Sequence, residues 1–332
     1  MRARPVTAPN ELAERVRAGD RRGLARAITL VESTRAEDRQ AATALIDTLL
    51  PSTGGATRVG ISGAPGSGKS TFIEALGTHL VEAGHQVAVL AVDPSSARSG
   101  GSILGDKTRM EELARSPHAF IRPSPSGGTL GGVARRTREA LLVCEAAGFD
   151  VVLVETVGVG QSEVAVAGMV DCFCLLLAPA AGDELQGVKR GIVELADLIM
   201  VNKADGALEA TARTTAAEYA NAVHFLRPRS TAWQVRVLTC SALERTGIDG
   251  MWDAVGDHQR ALDATGELGG RRADQSSQWM WSEITDGLLD RLRADSDTRR
   301  RAELLDAEVR AGRVSPTGAA QKVLEGFLTP EH

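Results

Sequence analysis

The sequence predicts an α/β fold built on a doubly wound, mostly parallel sheet, with helices before and after it. Short apolar runs alternate with helical stretches across residues 51–265, and this alternation is typical of right-handed crossovers and a parallel sheet. Several runs are apolar at both alternating positions, as expected for strands that helices cover on both faces. The seven predicted strands are residues 59–62, 87–92, 119–121, 151–154, 173–177, 198–201 and 235–238.

The chain divides into three predicted regions. Residues 1–50 form an N-terminal helical extension, which ends at the Pro-Ser-Thr-Gly-Gly sequence that starts at residue 51. Residues 51–265 hold every predicted strand. Residues 266–332 form a C-terminal helical arm, in which a polar, glycine-containing linker at 266–274 is expected to precede helices at 279–292, 299–311 and 315–327.

Composition and charge exclude several classes of protein. Of the 332 residues, 43% are hydrophobic and 24% are charged, which is ordinary for a globular protein and excludes a disordered chain. The net charge of −5 gives no indication of a nucleic-acid or anionic membrane partner. The longest uncharged apolar run, residues 172–182, is too short to span a bilayer. We therefore expect neither nucleic acid nor membrane as a partner.

The cysteines and the N-terminal sequence both favour a cytoplasmic protein. None of the four cysteines forms a CxxC pair, and Cys172 and Cys174 are expected to be small buried apolar residues rather than metal ligands. Glu11 and Glu14 occur where a secretion signal would have its apolar segment.

A phosphate-binding loop follows the first predicted strand. Its sequence, Gly-Ala-Pro-Gly-Ser-Gly-Lys-Ser, fits the pattern G-x-x-x-x-G-K-[ST]. Glycines let backbone N–H groups converge on phosphate oxygens, and the next helix offers its positive N-terminal end. Lys69 is expected to contact the β- and γ-phosphates, Ser70 the Mg²⁺ ion and Thr71 the α-phosphate. The predicted phosphate-binding residues are Gly63, Ala64, Pro65, Gly66, Ser67, Gly68, Lys69, Ser70 and Thr71.

Two motifs at later strand ends indicate guanine as the base. The first, Asn-Lys-Ala-Asp, starts directly after residue 201, and the carboxylate of Asp205 can accept from both N1–H and N2–H₂ of guanine. Adenine offers no such pair of donors. Asn202 can bind the base or brace the phosphate loop, and the Lys203 stem can cover the ring. The second motif follows strand 235–238 and offers backbone N–H groups to guanine O6; its residues are Ser241, Ala242 and Leu243.

Three carboxylates follow other predicted strands and are candidates for a Mg²⁺ site and for catalysis alongside Lys69. They are Asp93, Asp106 and Glu155, with Ser70 as a further ligand. Mg²⁺ prefers hard oxygen ligands and keeps several waters, so the sequence leaves open which carboxylates bind it directly. Further along, the backbone N–H of Gly158 is expected to sense the γ-phosphate.

The usual water-orienting residue is missing. Small GTPases place a glutamine directly after this glycine, whereas here that position is Val159 and Gln161 comes two residues later. No arginine finger is obvious; Arg98 and Arg109 are candidates for one. We therefore predict slow intrinsic hydrolysis that a partner accelerates, with the source of the water-orienting group left open. A polar loop at residues 182–190 is predicted either to report the nucleotide state or to be a plain solvated loop.

Together these motifs resemble the MeaB/ArgK-type GTPases, the methylmalonyl-CoA mutase-associated G proteins. The resemblance covers about residues 10–330 and implies a SIMIBI-class P-loop GTPase that forms a homodimer through its C-terminal helices. It also implies that GTP binding and hydrolysis gate the loading of adenosylcobalamin onto a mutase and protect that mutase from inactivation. The stretches that carry the resemblance start at Gly63, Asp93, Ser99, Arg122, Glu155, Gly182 and Asn202.

The resemblance further implies roles for individual residues. Lys69, Ser70, Asp93, Asp106 and Glu155 would form the phosphate and Mg²⁺ site, and residues 183–189 would transmit the nucleotide state to the mutase. The mutase that is served, the nucleotide state that releases it and the geometry of the dimer stay open.

Three other functions are compatible with the same nucleotide site. A GTP-dependent kinase of a transport protein is suggested by a label that some relatives carry. A metal-insertion GTPase, as for nickel enzymes, would require His-rich or paired-Cys metal sites, and the six histidines here are scattered. A nucleotide-regulated scaffold would need no productive hydrolysis.

Overall fold

The computed structural model describes residues 9–92, 110–123, 130–156, 162–179, 190–225 and 228–328. Its seven strands confirm the seven predicted ones: β1 (Thr57–Ser62), β2 (Val87–Val92), β3 (Ala119–Pro123), β4 (Val151–Thr156), β5 (Cys172–Leu177), β6 (Leu198–Val201) and β7 (Arg236–Thr239). They form one sheet in the order β3-β2-β4-β1-β5-β6-β7. All neighbouring strands are parallel, as the α/β prediction requires.

Helices flank the sheet and extend the chain at both ends. Single 3₁₀ turns occur at Leu50–Ser52 and Gly206–Leu208. The described α-helices are α1 (Pro9–Arg17), α2 (Arg21–Val31), α3 (Ala36–Leu49), α4 (Lys69–Glu82), α5 (Glu111–Arg115), α6 (Leu130–Ala146), α7 (Ser162–Ala167), α8 (Arg190–Val193), α9 (Glu209–Val223), α10 (Ile248–Thr265), α11 (Glu267–Ala294), α12 (Ser296–Arg310) and α13 (Pro316–Leu328).

The strands are buried because the core surrounds them. Every residue of β2, β4 and β5 is buried, which explains why these segments are apolar at consecutive positions. On one face Ile61 of β1 packs with Phe72 and Leu76 of α4 in the main apolar cluster. A second cluster joins the β5–β6 side of the sheet to Tyr219 of α9. Because all the strands are parallel, their carboxyl ends lie along one edge of the sheet.

The N-terminal helices cover one edge of the sheet. The guanidinium of Arg21, in α2, donates hydrogen bonds to the carbonyls of Pro117 (2.8 Å) and Ala119 (2.7 Å) beside β3. Arg122 of β3 forms an ion pair with the buried carboxylate of Glu32. The two hydrogen bonds of Arg21 satisfy carbonyl groups at the start of this edge strand.

The predicted linker at 266–274 is wrong, because residues 267–274 belong to α11. Two arginines in the first turns of α11 bind buried carboxylates that directly precede β5 and β6. Arg272 donates to both carboxylate oxygens of Asp171, at 2.8 and 2.7 Å. Arg271 donates to the Asp171 carbonyl at 2.5 Å and lies 3.3 Å from Asp197. Two of the polar residues that suggested a linker therefore pair with buried carboxylates.

The chain forms two compact units, Met1–Gln275 and Ser276–His332. The second contains the end of α11 together with α12 and α13. Asp295 caps α12 by accepting a 2.7 Å hydrogen bond from the Thr298 N–H, and the Ser315 hydroxyl accepts one from Gly318 at the start of α13. The division into an N-terminal extension, a GTPase domain and a C-terminal arm, with boundaries after residues 50 and 265, stays a prediction. None of the helices in the described part of the chain combines the length and apolar character that a membrane crossing requires.

Candidate nucleotide-binding site

The predicted phosphate-binding loop joins β1 to α4, and its glycines are required by close packing. A Cβ on Gly63 would lie 2.2 Å from the carbonyl oxygen of Leu176 in β5. Gly68 has a φ of 88°, and a Cβ there would lie 2.6 Å from Nδ2 of Asn202. Residues 64–66 of the loop are exposed, whereas Ser67 is buried. Only glycine fits the two ends of this loop, which leaves the backbone between them open to a ligand.

Lys69 turns its ammonium group into the loop. Its Nζ donates to the carbonyls of Gly63 (2.8 Å) and Ala64 (3.1 Å), and the residue is 9% exposed. Burial lowers the pKa of Lys69, and the negative charges of Glu155 and Glu163 oppose that shift. A buried ammonium next to loop carbonyls can exchange these partners for the oxygens of a bound phosphate.

Ser70 and Glu155 meet beside the loop. Glu155 lies near the end of β4, in register with Ile61 of β1 and Ala91 of β2, and is buried. The Ser70 hydroxyl lies 3.3 Å from its Oε1. A hydroxyl and a carboxylate at one point are the hard oxygen donors that Mg²⁺ prefers, so these residues fit that ion.

Asn202 links the base motif to the phosphate loop. Its Nδ2 donates to the Ser67 carbonyl at 2.9 Å, and its Oδ1 accepts from the Ala242 N–H at 3.0 Å. The sequence left open whether Asn202 binds the base or braces the phosphate loop, and these two hydrogen bonds correspond to bracing. Lys203, the next residue, has a φ of 60°. Such a conformation is uncommon outside glycine and clusters at functional sites.

Asp205 is held by the second base motif. The Ser241 hydroxyl donates to Oδ2 of Asp205 and accepts a 3.0 Å bond from the Glu244 N–H. The Ser241 N–H donates to the Thr246 carbonyl, so this N–H and that of Ala242, both predicted to face guanine O6, are bonded within the protein. The Leu243 side chain is exposed beside them. The arrangement orients the Asp205 carboxylate.

Several predicted residues lie outside the described part of the chain. They are Asp93, Asp106 and Gly158, the nearby Arg98, Arg109, Val159 and Gln161, and residues 182–189 of the predicted polar loop.

All four cysteines are buried, which confirms the prediction made for Cys172 and Cys174. Cys144, Cys172, Cys174 and Cys240 are free thiols. Burial raises the pKa of each, that of Cys240 to about 12, so they are protonated and poor metal ligands at neutral pH. Within the described ranges, no group of three His, Cys, Asp or Glu residues is arranged to hold a metal ion.

Sequence reasoning missed one acidic residue near this site. Glu163, in the first turn of α7, is 1% exposed, and its Oε2 lacks a hydrogen-bond partner among the described residues. It belongs to the motif that begins at Glu155, but only the fold shows that its side chain is buried.

Comparisons with known proteins agree with this geometry. A family model described as "Methylmalonyl Co-A mutase-associated GTPase MeaB" matches residues 24–297. A probable GTPase of Mycobacterium tuberculosis is 56% identical over 95% of this chain and 94% of its own length. A mitochondrial methylmalonic aciduria type A homolog of Mus musculus is 50% identical over 93% of this chain and 77% of its own.

A crystal structure described as that of a LAO/AO transport system kinase superposes with a TM-score of 0.77. It is 41% identical and covers 99% of this chain and all of its own. These matches confirm the P-loop NTPase fold, and several of the curated relatives, the Mycobacterium tuberculosis protein among them, are named as GTPases. The phosphate loop, the braced guanine motif and the match over most of the chain lead to one conclusion: the chain belongs to the family of methylmalonyl-CoA mutase-associated GTPases and hydrolyses GTP.

Proposed function

We propose that this GTPase is a chaperone of an adenosylcobalamin-dependent methylmalonyl-CoA mutase. GTP binding and hydrolysis would gate the loading of adenosylcobalamin and protect the mutase from inactivation. The observation that carries the proposal is the family match over residues 24–297, whose description names that mutase. The mouse relative, named for methylmalonic aciduria, supports it. Its place of action is proposed to be the cytoplasm.

In this proposal the nucleotide occupies the carboxyl edge of the sheet. Residues 63–71 cradle the phosphates, and Lys69 moves from the carbonyls of Gly63 and Ala64 to the β- and γ-phosphates. Asp205, oriented by Ser241, binds the guanine edge, and Lys203 covers the ring. Gly158 senses the γ-phosphate, and the loop at 183–189 passes the nucleotide state to the mutase.

Mg²⁺ is the proposed cofactor. Ser70 and Glu155 would hold it, with Asp93 and Asp106 as further candidates, because adjacent oxygen donors suit this ion. When bound, Mg²⁺ neutralises the charge that develops on the phosphates. The protein's own contribution is to fix the two oxygens at one point of the sheet edge.

Hydrolysis by the isolated chain is proposed to be slow. The position after Gly158 is a valine, which has no group to orient water. Contact with the mutase is proposed to accelerate the hydrolysis. A single-turnover rate above about 1 s⁻¹ for the isolated protein would contradict this part of the proposal.

A homodimer through the second unit is proposed as well. Trp281, Ile284 and Leu288 are exposed on α11 at helical spacing, and Trp281 is 62% exposed. Apolar side chains so arranged are typical of an interface between helices. Light scattering on the intact chain measures its mass, and a monomer at micromolar concentration would contradict the dimer.

The alternative of a GTP-dependent kinase is favoured by one observation, the structural relative described as a transport system kinase. Incubation with labelled GTP and candidate acceptor proteins separates the two functions. We expect the label to appear only as free phosphate; its transfer to an acceptor protein would favour the kinase.

The chaperone function is tested by binding. The purified mutase of the same organism is titrated against the protein without nucleotide, with GDP and with a non-hydrolysable GTP analogue. We expect affinity that depends on the nucleotide, and a Lys69→Ala variant that no longer responds to it. Absence of binding in every nucleotide state would contradict the proposal.

A further inference from the structure

Glu163 is a buried carboxylate whose presence requires an explanation. It is 1% exposed, and its Oε2 makes no hydrogen bond within the described ranges. No ion pair of the described residues includes it. Burial of a carboxylate oxygen without a hydrogen-bond partner costs free energy, and a catalytic role is one of the reasons for which a protein keeps such an atom.

The packing of α7 directs Glu163 toward the phosphate loop. Val166 lies over β1, since a Cβ on Gly60 would be 2.9 Å from its Cγ1. Glu163 precedes Val166 by three residues and so shares its face of the helix. Because α7 begins soon after the end of β4, its first turn lies at the carboxyl edge, where β1 enters the loop. The negative charge of Glu163 there acts on the ammonium of Lys69.

The other described carboxylate beside Lys69 already has a partner. Glu155 accepts from the Ser70 hydroxyl at 3.3 Å, in the place that suits Mg²⁺. Glu163 has an oxygen that is still able to accept. Hydrolysis needs an acceptor that orients the attacking water, and residue 159 is a valine that cannot do so.

We propose that Glu163 is a catalytic residue that orients the water attacking the γ-phosphate of GTP. The water oxygen forms a bond to the γ-phosphorus, and the bond from that phosphorus to the β,γ-bridging oxygen breaks with its electron pair going to GDP. The carboxylate accepts a hydrogen bond from the water, whose proton passes to the released phosphate. Glu163 is left unchanged. This proposal rests on the GTPase activity and does not depend on the mutase.

The test is single-turnover hydrolysis of radiolabelled GTP by the full chain with Mg²⁺, alongside the Kd for GTP. Glu163→Ala is expected to slow hydrolysis about 100-fold, as loss of one transition-state contact does. Glu163→Gln keeps an oxygen that can accept from water but loses the charge, so it is expected to be about tenfold slower. Both variants should have a Kd for GTP within about threefold of the wild-type value. An unchanged Kd with slower hydrolysis separates a role in catalysis from a role in binding.

The matched control is Val164→Ala, which changes the next residue of α7, 62% exposed, and should leave both quantities unchanged. If Glu163→Ala fails to fold, the isosteric glutamine variant decides the question. The proposal is overturned if Glu163→Gln hydrolyses GTP at a rate within about twofold of the wild type. It is also overturned if the rate falls only in proportion to the loss of GTP affinity and thermal stability. An inactive wild-type chain would instead contradict the GTPase activity itself.

Discussion

The Asn202 side chain donates a 2.9 Å hydrogen bond to the Ser67 carbonyl, and this bond joins the end of β6 to the phosphate loop. The same amide accepts from Ala242, so three segments far apart in the sequence meet at one buried side chain. Asn202 thus braces the candidate nucleotide site, and its loss should loosen the proposed phosphate and base subsites together.

Replacing Asn202 with alanine should therefore weaken GTP and GDP to a similar extent. Two buried hydrogen bonds are lost, and their partners at Ser67 and Ala242 are left unsatisfied, which costs about 1–3 kcal/mol, or roughly 10- to 100-fold in Kd. Calorimetry with both nucleotides measures the change, and Asn221→Ala on the exposed side of α9 is the control. An unchanged Kd would show that the brace has no role in binding.

Base selectivity should depend on Asp205. A carboxylate accepts from N1–H and N2–H₂ of guanine, whereas an amide can donate to the second carbonyl of xanthine. Asp205→Asn should weaken GTP about 10- to 100-fold, because hydrogen bonds to a charged group are lost, and should strengthen XTP. Competition with fluorescent GDP measures all three nucleotides, and ATP should stay weak throughout. If GTP binds Asp205→Asn as tightly as the wild type, the carboxylate does not read the base.

The Mg²⁺ requirement should change when Glu155 loses its charge. Glu155→Gln keeps the shape of the side chain but removes the negative oxygen beside Ser70. We expect the Mg²⁺ concentration for half-maximal GTP turnover to rise about tenfold, since hard cations prefer charged oxygen ligands. Glu111→Gln, an exposed acid on α5, serves as the control. Identical Mg²⁺ titrations for both variants and the wild type would place the ion elsewhere.

The buried carboxylate of Asp197 should make stability depend on pH. Burial alone would raise its pKa, but His258, Arg271 and Arg229 outweigh burial and lower the pKa below its usual 3.8. The stabilisation is therefore present above about pH 4 and is lost as the pH falls through the lowered value. Asp197→Asn should cost about 3–5 kcal/mol at pH 7, because it removes the buried negative charge that pairs with two arginines.

Urea unfolding at pH 7 and near pH 3 checks this expectation. The difference between Asp197→Asn and the wild type should shrink at the lower pH, where the wild-type carboxyl begins to take up its proton. Asp249→Asn, an exposed acid of α10, should change little at either pH. A difference that stays constant with pH would mean that the Asp197 contribution is not electrostatic.

The strands and motifs were predictable because their signals are local. A run such as β2 is apolar at every position, and the glycines of the phosphate loop occupy fixed places in the sequence. The predicted linker at 266–274 was wrong because its arginines pair with residues far away in the sequence. Arg272 binds Asp171, about a hundred residues earlier, and Arg271 binds Asp197, about seventy-five residues earlier. No local pattern carries that information.

The same limit applies to the site. Which of its two roles Asn202 plays depends on the position of Ser67, 135 residues earlier in the chain. Glu163 has no assigned role in the sequence-based predictions, and its burial follows from how α7 packs on β1. Sequence alone identifies the chemistry of such residues, and the fold determines which of them face one another.

GTP turnover with and without the methylmalonyl-CoA mutase of the same organism, with ATP as the control, tests the central claim most directly. The proposed chaperone function predicts slow turnover alone and a marked acceleration by the mutase that is specific to GTP. An unchanged rate in the presence of saturating mutase, with GTP still tightly bound, would contradict the proposed coupling between this GTPase and that enzyme.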